Sequence, residues 1–171
     1  MNETSQQNIK VRKAKLEDAE AICHVHRVSV RTLCIKDYTP EQIEAWVGSS
    51  EPENFRKAMV ERGETIFVAE IEELIAGFSS LFKDEIYAVY VHPEYTRRGV
   101  GTRLLKAVEK EAIFQQNKKL KLVSSTTAEP FYQANGYQVV EHSFHTLRSG
   151  IQIPCVYMEK ALNETDFSTV Y

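Results

Sequence analysis

A short basic turn, Thr96-Arg97-Arg98-Gly99-Val100-Gly101, carries the residue types and spacing that first point to chemistry. It lies between a run of strand character and an apolar pattern of helix character. Backbone N–H groups in such a turn converge, and the positive end of the helix dipole adds to them. The two glycines remove side chains that would hold a phosphate off the backbone, and the arginines can donate charge-assisted hydrogen bonds. The turn therefore predicts a phosphate or pyrophosphate site.

Two widespread phosphate motifs do not account for this turn. The dinucleotide fingerprint G-x-G-x-x-G and a P-loop beginning at Gly99 both need glycine at 104, where the sequence has Leu104. Taken alone, the glycine pair is equally compatible with a tight strand-to-helix turn whose arginines are simply solvated. Distinguishing a phosphate site from a simple tight turn therefore requires the surrounding secondary-structure elements.

Hydrophobic periodicity predicts the elements that would position the turn. Alternating patterns and short apolar runs indicate strands, and stripes at helical spacing indicate helices. The predicted strands are 9–14, 65–71, 74–82, 85–91, 120–125, 137–147 and 151–160. The predicted helices are 16–34, 38–46, 52–62, 100–116 and 127–135. Thr39 is expected to cap the second helix, with Gln42 completing a capping box.

This element order predicts an α/β fold of the α+β kind. The expected sheet is mixed and mostly antiparallel, has six or seven strands and is flanked by helices. The helix at 100–116 makes its one parallel crossover. The chain is expected to be a single domain over 1–171, with a core at about 9–162 and frayed ends at 1–8 and 163–171.

Composition narrows the class of protein. The chain has 171 residues, is 43% hydrophobic and 26% charged, and carries a net charge of −3. That balance argues against a nucleic-acid or membrane-surface binder, which usually has a basic excess. The three cysteines are widely spaced, which disfavours a disulfide framework. With a polar N-terminus and no long apolar run, we expect a cytoplasmic protein without a membrane or nucleic-acid partner.

Three segments resemble the GNAT N-acetyltransferase superfamily. "VYVHPEYTRRGVGTRLL" is similar to that family's acetyl-CoA-binding segment, [Q/R]-x-x-G-x-[G/A] after a strand, with Thr96 departing from the usual Gln or Arg. "PFYQANGY" is similar to its x-P-F-Y-x-x-x-G-F/Y segment. Together with "YTPEQIEAW", these look like the YafP-type acetyltransferases within the superfamily. The resemblance extends over about residues 9–162 and implies acetyl-CoA as cosubstrate, with no metal.

The resemblance also implies where the cofactor would lie. In the family, the strands corresponding to 85–91 and 120–125 splay apart. Val89, Tyr90 and Val91 would pair with the pantetheine arm, and the Val91 N–H would face the oxyanion. The residues assigned in this way to the cofactor are Val89, Tyr90, Val91, Arg97, Arg98, Gly99, Val100, Gly101, Thr102, Thr127 and Phe131.

Two residues are the candidate catalytic groups. Tyr132 aligns with the family tyrosine beside the CoA sulfur, and a phenol that is protonated at neutral pH can donate to a departing thiolate. The other interpretation of Tyr132 is a buried tyrosine with its hydroxyl satisfied elsewhere. Glu85 is the candidate base, and strand alternation is expected to put it on one face with Tyr87 and Val89. A solvent-facing carboxylate at a strand start explains Glu85 equally well.

Other polar residues have plainer interpretations. Thr126 or Thr127 is expected to be the N-cap of the helix at 127–135, with Glu129 completing a capping box, a role compatible with cofactor contact. His26 and Cys23 are more simply core residues than metal ligands. No cysteine is expected in the segments that flank the thioester, so direct transfer is favoured over an acyl-enzyme.

The sequence as a whole predicts an N-acetyltransferase that moves an acetyl group to a small-molecule or peptide amine. Direct transfer would take place in a ternary complex. The alternatives are a non-catalytic acyl-CoA-binding or sensing module of the same fold and a binder of another phosphate ligand. A homodimer is compatible with the sequence.

Overall fold

The computed structural model describes residues 8–163. Its strands are β1 (Lys10–Lys13), β2 (Thr65–Ile71), β3 (Leu74–Phe82), β4 (Glu85–Val91), β5 (Lys119–Ser125), β6 (Gln138–Thr146) and β7 (Gln152–Ala161). They form one sheet in the order β1-β2-β3-β4-β5-β7-β6. Every neighbouring pair is antiparallel except β4–β5. The predicted mixed, mostly antiparallel sheet is confirmed, whereas the predicted frayed ends lie almost entirely outside the described residues.

Helices cover both faces of the sheet. They are α1 (Ala19–Leu33), α2 (Pro40–Gly48), α3 (Pro52–Val60), α4 (Val100–Phe114) and α5 (Glu129–Ala134). Side chains of α1, α2 and α3 pack on one face, and those of α4 and α5 pack on the other. No helix within residues 8–163 combines the length and the hydrophobicity needed to cross a membrane.

Local sequence accounts for two of the connections. Thr39 Oγ1 accepts a hydrogen bond from the Gln42 N–H, and the Gln42 side chain accepts one from the Thr39 N–H, so the predicted capping box is confirmed. Glu72 and Glu73 both adopt left-handed backbone, with φ of 50° and 67°. Two such residues make the tight turn that matches the twist of a hairpin, and they join β2 to β3 as expected.

A bulge in β4 changes which side chains share a face. Ala88 and Ile86 pair with successive residues of β3, so Tyr87 between them has no pairing partner there. Val89 and Ile86 therefore both pack toward α4. Glu85, which precedes Ile86, points to the opposite face with Ala88. The prediction that Glu85 and Val89 share a face is wrong, because strict alternation does not survive the extra residue.

A buried ion pair joins α4 to the last strand. Glu109 is only 5% exposed. Its carboxylate accepts hydrogen bonds from Lys160 Nζ at 3.3 Å and from the Tyr137 hydroxyl at 3.1 Å. The ammonium also lies 5.5 Å from the Tyr137 ring centroid. The network compensates the cost of burying a carboxylate beneath α4.

Replacing Lys160 with methionine should destabilise the fold, because it leaves the Glu109 carboxylate buried without its cation. We expect a loss of about 3 kcal/mol, at the lower end for a broken buried pair. That corresponds to a melting temperature lower by roughly 6–12 °C for a chain of this size. Calorimetry should find a much smaller change for Lys119→Met, whose pair with Glu159 is exposed. Equal shifts in the two variants would contradict this assignment.

A half-buried histidine of α1 is held in its neutral form. His26 Nδ1 lies 2.9 Å from Ser50 Oγ, and its ring packs edge-on against Tyr90 at 4.8 Å. Burial, with a smaller contribution from the charge of Arg27, lowers the pKa of His26 from 6.5 to about 4. Protonation is unfavourable in the folded chain because the cation would lose its hydration.

This shift makes stability depend on acid pH. As pH falls below 6.5 the unfolded chain takes up a proton at His26, but the folded chain does so only near pH 4. The contribution of His26 to stability is therefore complete above pH 6.5 and is lost toward pH 4, by about 3 kcal/mol at most. Denaturant unfolding of wild type and His26→Asn at pH 7, 5.5 and 4 should show a smaller acid loss in the variant. Parallel curves would contradict the shift.

Candidate active site

The site begins where the sheet opens. The parallel strands β4 and β5 pair only at Glu85–Lys121 and Ile86–Leu122. Beyond these two residue pairs the strands part, while β4 stays paired with β3 and β5 with β7. The predicted splaying of these strands is confirmed, and it leaves a gap that opens toward the turn at residues 96–101.

The second half of β4 presents free backbone to this gap. His92 donates its N–H to the Ala76 carbonyl of the neighbouring strand at 2.8 Å. Since backbone groups alternate in direction along an antiparallel strand, the N–H and C=O groups of Val91 and Val89 point away from β3, into the gap. Tyr90 directs its backbone toward β3 and reaches the opening through its side chain.

A cavity of about 420 Å³ occupies the gap. Its walls come from both faces of the sheet, with Ser29, Leu33 and Cys34 of α1 on one side and Phe131 and Tyr132 of α5 on the other. The cavity therefore passes through the sheet.

Most of the predicted site residues converge on this cavity. Those that line it are Val89, Tyr90, Val91, Arg97, Gly99, Val100, Gly101, Thr102, Thr127, Phe131 and Tyr132. Glu85 and Arg98 are the exceptions. The Arg98 guanidinium lies over the Tyr95 ring at 5.4 Å from its centroid.

The turn before α4 has the geometry of an anion cradle. Arg97 and Gly99 are both left-handed, with φ of 62° and 83°. No side chain caps the first turn of α4 at Gly99, so its N–H groups stay open. A Cβ at Gly101 would lie 3.3 Å from the Phe131 ring. The two glycines therefore serve different needs: Gly99 a backbone conformation, and Gly101 a close approach between α4 and α5.

Tyr132 places a protonated hydroxyl in the cavity. It is only 5% exposed, and burial raises the pKa of its phenol well above the ordinary value. Among residues 8–163 its hydroxyl has no hydrogen-bond partner, and no sealed side-chain oxygen in that range lacks one. The Tyr132 hydroxyl is therefore open to the cavity. The interpretation of Tyr132 as a tyrosine satisfied elsewhere does not hold.

Two carboxylates lie beside the rim of the cavity. Burial and then the charges of Glu85 and Glu64 raise the pKa of Tyr87, which lines the cavity. Glu64 accepts a hydrogen bond from Ser80 Oγ at 2.8 Å. Glu64 could not be placed here from sequence, because only the pairing of β2 with β3 brings it near β4.

The connection between α1 and α2, which contains Asp37 and Tyr38 and is called the α1–α2 corner below, holds the turn between β5 and α5 in place. That turn lines the cavity. The Tyr38 hydroxyl donates to the Pro154 carbonyl at 2.7 Å and accepts from the Thr126 N–H at 2.9 Å. Thr127 Oγ1 donates to Asp37 at 2.7 Å. These bonds tie three distant segments together at one end of the cavity.

The predicted cap of α5 is wrong. Ala128 occupies the N-cap position of the helix, and its N–H is bonded by Ser125 Oγ at 3.1 Å. Thr126 and Thr127 are instead engaged by the α1–α2 corner. The hydrogen bond from Thr127 to Asp37, which lies 90 positions away in sequence, forms in place of the local cap.

One cysteine borders the cavity, contrary to the prediction. Cys34 lines it at the end of α1 and is 6% exposed. Burial raises the pKa of the Cys34 thiol, Asp37 adds to the rise, and a hydrogen bond with Thr127 opposes it. The thiol form is therefore favoured at neutral pH. The error arose because α1 is far in sequence from the strands at the gap.

Within residues 8–163, no three His, Cys, Asp or Glu side chains are grouped so as to hold a metal ion. Cys23 lies against Ser50 rather than beside a second ligand.

Removing the Tyr38 hydroxyl should loosen the end of the cavity. Tyr38→Phe leaves the Thr126 N–H and the Pro154 carbonyl without this partner, at a cost of about 1–3 kcal/mol for a buried group. We expect a lower melting temperature and a several-fold weaker Kd for CoA by calorimetry. Tyr157→Phe, on an exposed position of β7, is the matched control. An unchanged CoA affinity in Tyr38→Phe would show that the corner does not shape the site.

Comparisons with known proteins agree with this geometry. The sequence model of the acetyltransferase (GNAT) domain matches residues 34–162. The chain is 32% identical over 137 residues to the uncharacterized N-acetyltransferase YafP of Escherichia coli, covering 78% of this chain and 84% of YafP. It is 27% identical over 145 residues to a spermidine N(1)-acetyltransferase of Thermoplasma acidophilum, covering 77% and 89% of the two chains.

Solved structures show the same fold. A GCN5-related N-acetyltransferase from Rhodopseudomonas palustris superposes with a TM-score of 0.86 at 28% identity, covering 94% of this chain and all 100% of the other. The PaiA N-acetyltransferase of Thermoplasma acidophilum, solved with coenzyme A, gives a TM-score of 0.74 at 23% identity, covering 90% and 99%. From the matched family, the identity to YafP and the shared fold, we conclude that this chain belongs to the GNAT family of N-acetyltransferases.

Proposed function

We propose that this protein transfers the acetyl group of acetyl-CoA directly to a primary amine, with both substrates bound at once. The observation that carries the proposal is the cavity that passes through the sheet between β4 and β5. A phosphate-binding turn lies at its mouth and an unpartnered, protonated phenol lies inside it. Two substrates that enter from opposite faces can react there without a covalent enzyme intermediate.

The cofactor is placed by backbone more than by side chains. Its pyrophosphate is bound by the N–H groups from Gly99 to Gly101 and by Arg97 at the start of α4. Its pantetheine arm lies along β4, where Val89 and Val91 offer free backbone groups. In this arrangement the Val91 N–H donates to the carbonyl oxygen as negative charge develops on it.

The reaction makes one bond and breaks one. The amine nitrogen attacks the thioester carbon, forming the C–N bond and a tetrahedral oxyanion. The C–S bond then breaks, and the departing thiolate takes the hydroxyl proton of Tyr132. The positively charged nitrogen of the tetrahedral intermediate loses its proton to Glu85 or through water to solvent, which leaves the neutral amide. Tyr132 is then restored by proton exchange with solvent.

The protonation states of nearby groups support these roles. A phenol whose pKa is raised by burial stays protonated over the working pH range and remains able to donate. The raised pKa of the Cys34 thiol makes it a poor nucleophile, which favours direct transfer over an acyl-cysteine route. Glu85 stands near the rim, where a carboxylate can accept the proton that the amine nitrogen loses during the reaction.

The experiment that tests this function measures CoA release from acetyl-CoA with four primary amines: butylamine, benzylamine, spermidine and the dipeptide Ala-Phe. Spermidine is included because the Thermoplasma relative is named for acting on it. CoA binding is measured in parallel by calorimetry. Turnover with any of the amines supports the proposal. Tight CoA binding without turnover on any of them would indicate a binding or sensing module instead.

Tyr132→Phe should lower kcat by about 10²-fold or more while leaving the Kd for CoA nearly unchanged, because only the donated proton is lost. Steady-state kinetics with the best amine of the panel, together with calorimetry, will check this. Tyr157→Phe serves as the control, since its side chain lies outside the cavity. A kcat near that of wild type in Tyr132→Phe would remove Tyr132 from the mechanism.

A further inference from the structure

The polar side chains that line the cavity are mostly engaged within the protein. Ser124 Oγ donates to the Ser125 carbonyl at 2.7 Å, and Ser125 Oγ accepts from the Ala128 N–H. Thr127 bonds Asp37, and Thr96 bonds the Pro93 carbonyl at 3.1 Å. Each of these hydroxyls therefore already has a partner within the protein.

Ser29 of α1 is different. It lines the cavity and is only 5% exposed, yet no group of residues 8–163 hydrogen-bonds to its hydroxyl. A helical serine ordinarily bonds the carbonyl four residues before it, here that of Val25, and Ser29 does not. Since no sealed side-chain oxygen in this range lacks a partner, Ser29 Oγ must be open to the cavity. A hydroxyl that faces the cavity without a protein partner can accept a hydrogen bond from a ligand.

The position of Ser29 separates it from the cofactor. The phosphate turn belongs to α4, and Phe131 and Tyr132 belong to α5, both on one face of the sheet. Ser29 stands on the opposite face, on the wall formed by α1. A substrate that meets Ser29 therefore enters from the face opposite the cofactor.

The neighbours of Ser29 indicate the form of that substrate. The other α1 side chains on this wall are Leu33 and the protonated Cys34, and neither is charged. An ammonium would be poorly solvated against such a wall, whereas a neutral amine fits it. The neutral amine is also the reactive form, because only it has a lone pair to attack with.

We propose that Ser29 Oγ accepts a hydrogen bond from an N–H of the neutral acceptor amine and so orients its lone pair toward the thioester carbon. The inference rests on the proposed acetyl transfer and assigns it an acceptor-binding residue. Ser29 forms no covalent bond in this role. Ser29 orients the amine, and Tyr132, on the other face of the sheet, donates its proton to the leaving thiolate.

The test compares wild type, Ser29→Ala and Thr32→Ala, using whichever of butylamine, benzylamine, spermidine and Ala-Phe has the highest kcat/KM with wild type. Thr32 is the matched control, because it is an exposed hydroxyl residue on the same helix. In Ser29→Ala we expect kcat/KM for the amine to fall about tenfold, the size of one neutral hydrogen bond. The KM for acetyl-CoA should stay unchanged.

Stability distinguishes this role from a structural one. Because alanine removes an unpartnered hydroxyl, the melting temperature of Ser29→Ala should be equal to or above that of wild type. An unchanged kcat/KM for the amine, a rise in the KM for acetyl-CoA alone, or a lower melting temperature with both constants impaired would each overturn the proposal. If wild type binds CoA but acetylates no amine, the proposed function fails and this inference with it. Turnover by wild type with an equal rate in Ser29→Ala refutes Ser29 alone.

Discussion

The parting of β4 from β5 is the constraint on which the rest of the molecule depends. Two parallel residue pairs hold these strands together, and then each strand follows its other neighbour. A parallel pair needs a crossover helix, so α4 must start at the open end of β4. That requirement puts the basic glycine turn at the mouth of the gap. The same parting leaves the backbone of Val89 and Val91 unpaired and makes room for a cavity through the sheet.

Around the gap, some polar groups have hydrogen-bond partners within the protein and others have none. The α1–α2 corner satisfies Thr126, Thr127 and Pro154, so one end of the cavity is held firmly. Ser29 and Tyr132 are left open on opposite faces of the sheet. Buried polar groups are normally satisfied, and exceptions tend to mark places where a ligand completes the network. The contrast marks the two hydroxyls of the cavity on which the proposals above rest.

Much of the fold could be predicted from sequence because the signals were local. The capping box at Thr39, the two-residue turn at Glu72 and the apolar stripe of α4 each depend on residues within a few positions. The resemblance correctly placed the turn at residues 96–101 and Tyr132 beside one cavity, because each lies in a contiguous motif. Predictions failed where distant segments compete with local preference. Asp37 and Tyr38 engage the threonines that a local motif would use as caps, and α1 brings Cys34 to the gap.

The bulge at Tyr87 shows a second kind of limit. One extra residue reverses every later side chain of a strand, and no pattern in "EIYAVYV" reveals it, because both faces of β4 are covered and the run is apolar on each. Strict alternation therefore predicts the wrong faces for the side chains on one side of the bulge in β4. Only pairing with β3 fixes the faces of Glu85 and Val89.

The short β4–β5 ladder also has a consequence for how the chain folds. Strands β2, β3 and β4 are joined by tight turns and pair with their neighbours in sequence, whereas β4 meets β5 only across the whole of α4. Closing that loop costs chain entropy, and only two residue pairs of β4 with β5 form to offset the cost. The halves of the sheet are therefore joined mainly by the side chains packed beneath α4. The backbone amides of Val89 and Val91 lack a ladder partner along this seam, so they have less protection against local opening than the amides paired with β3.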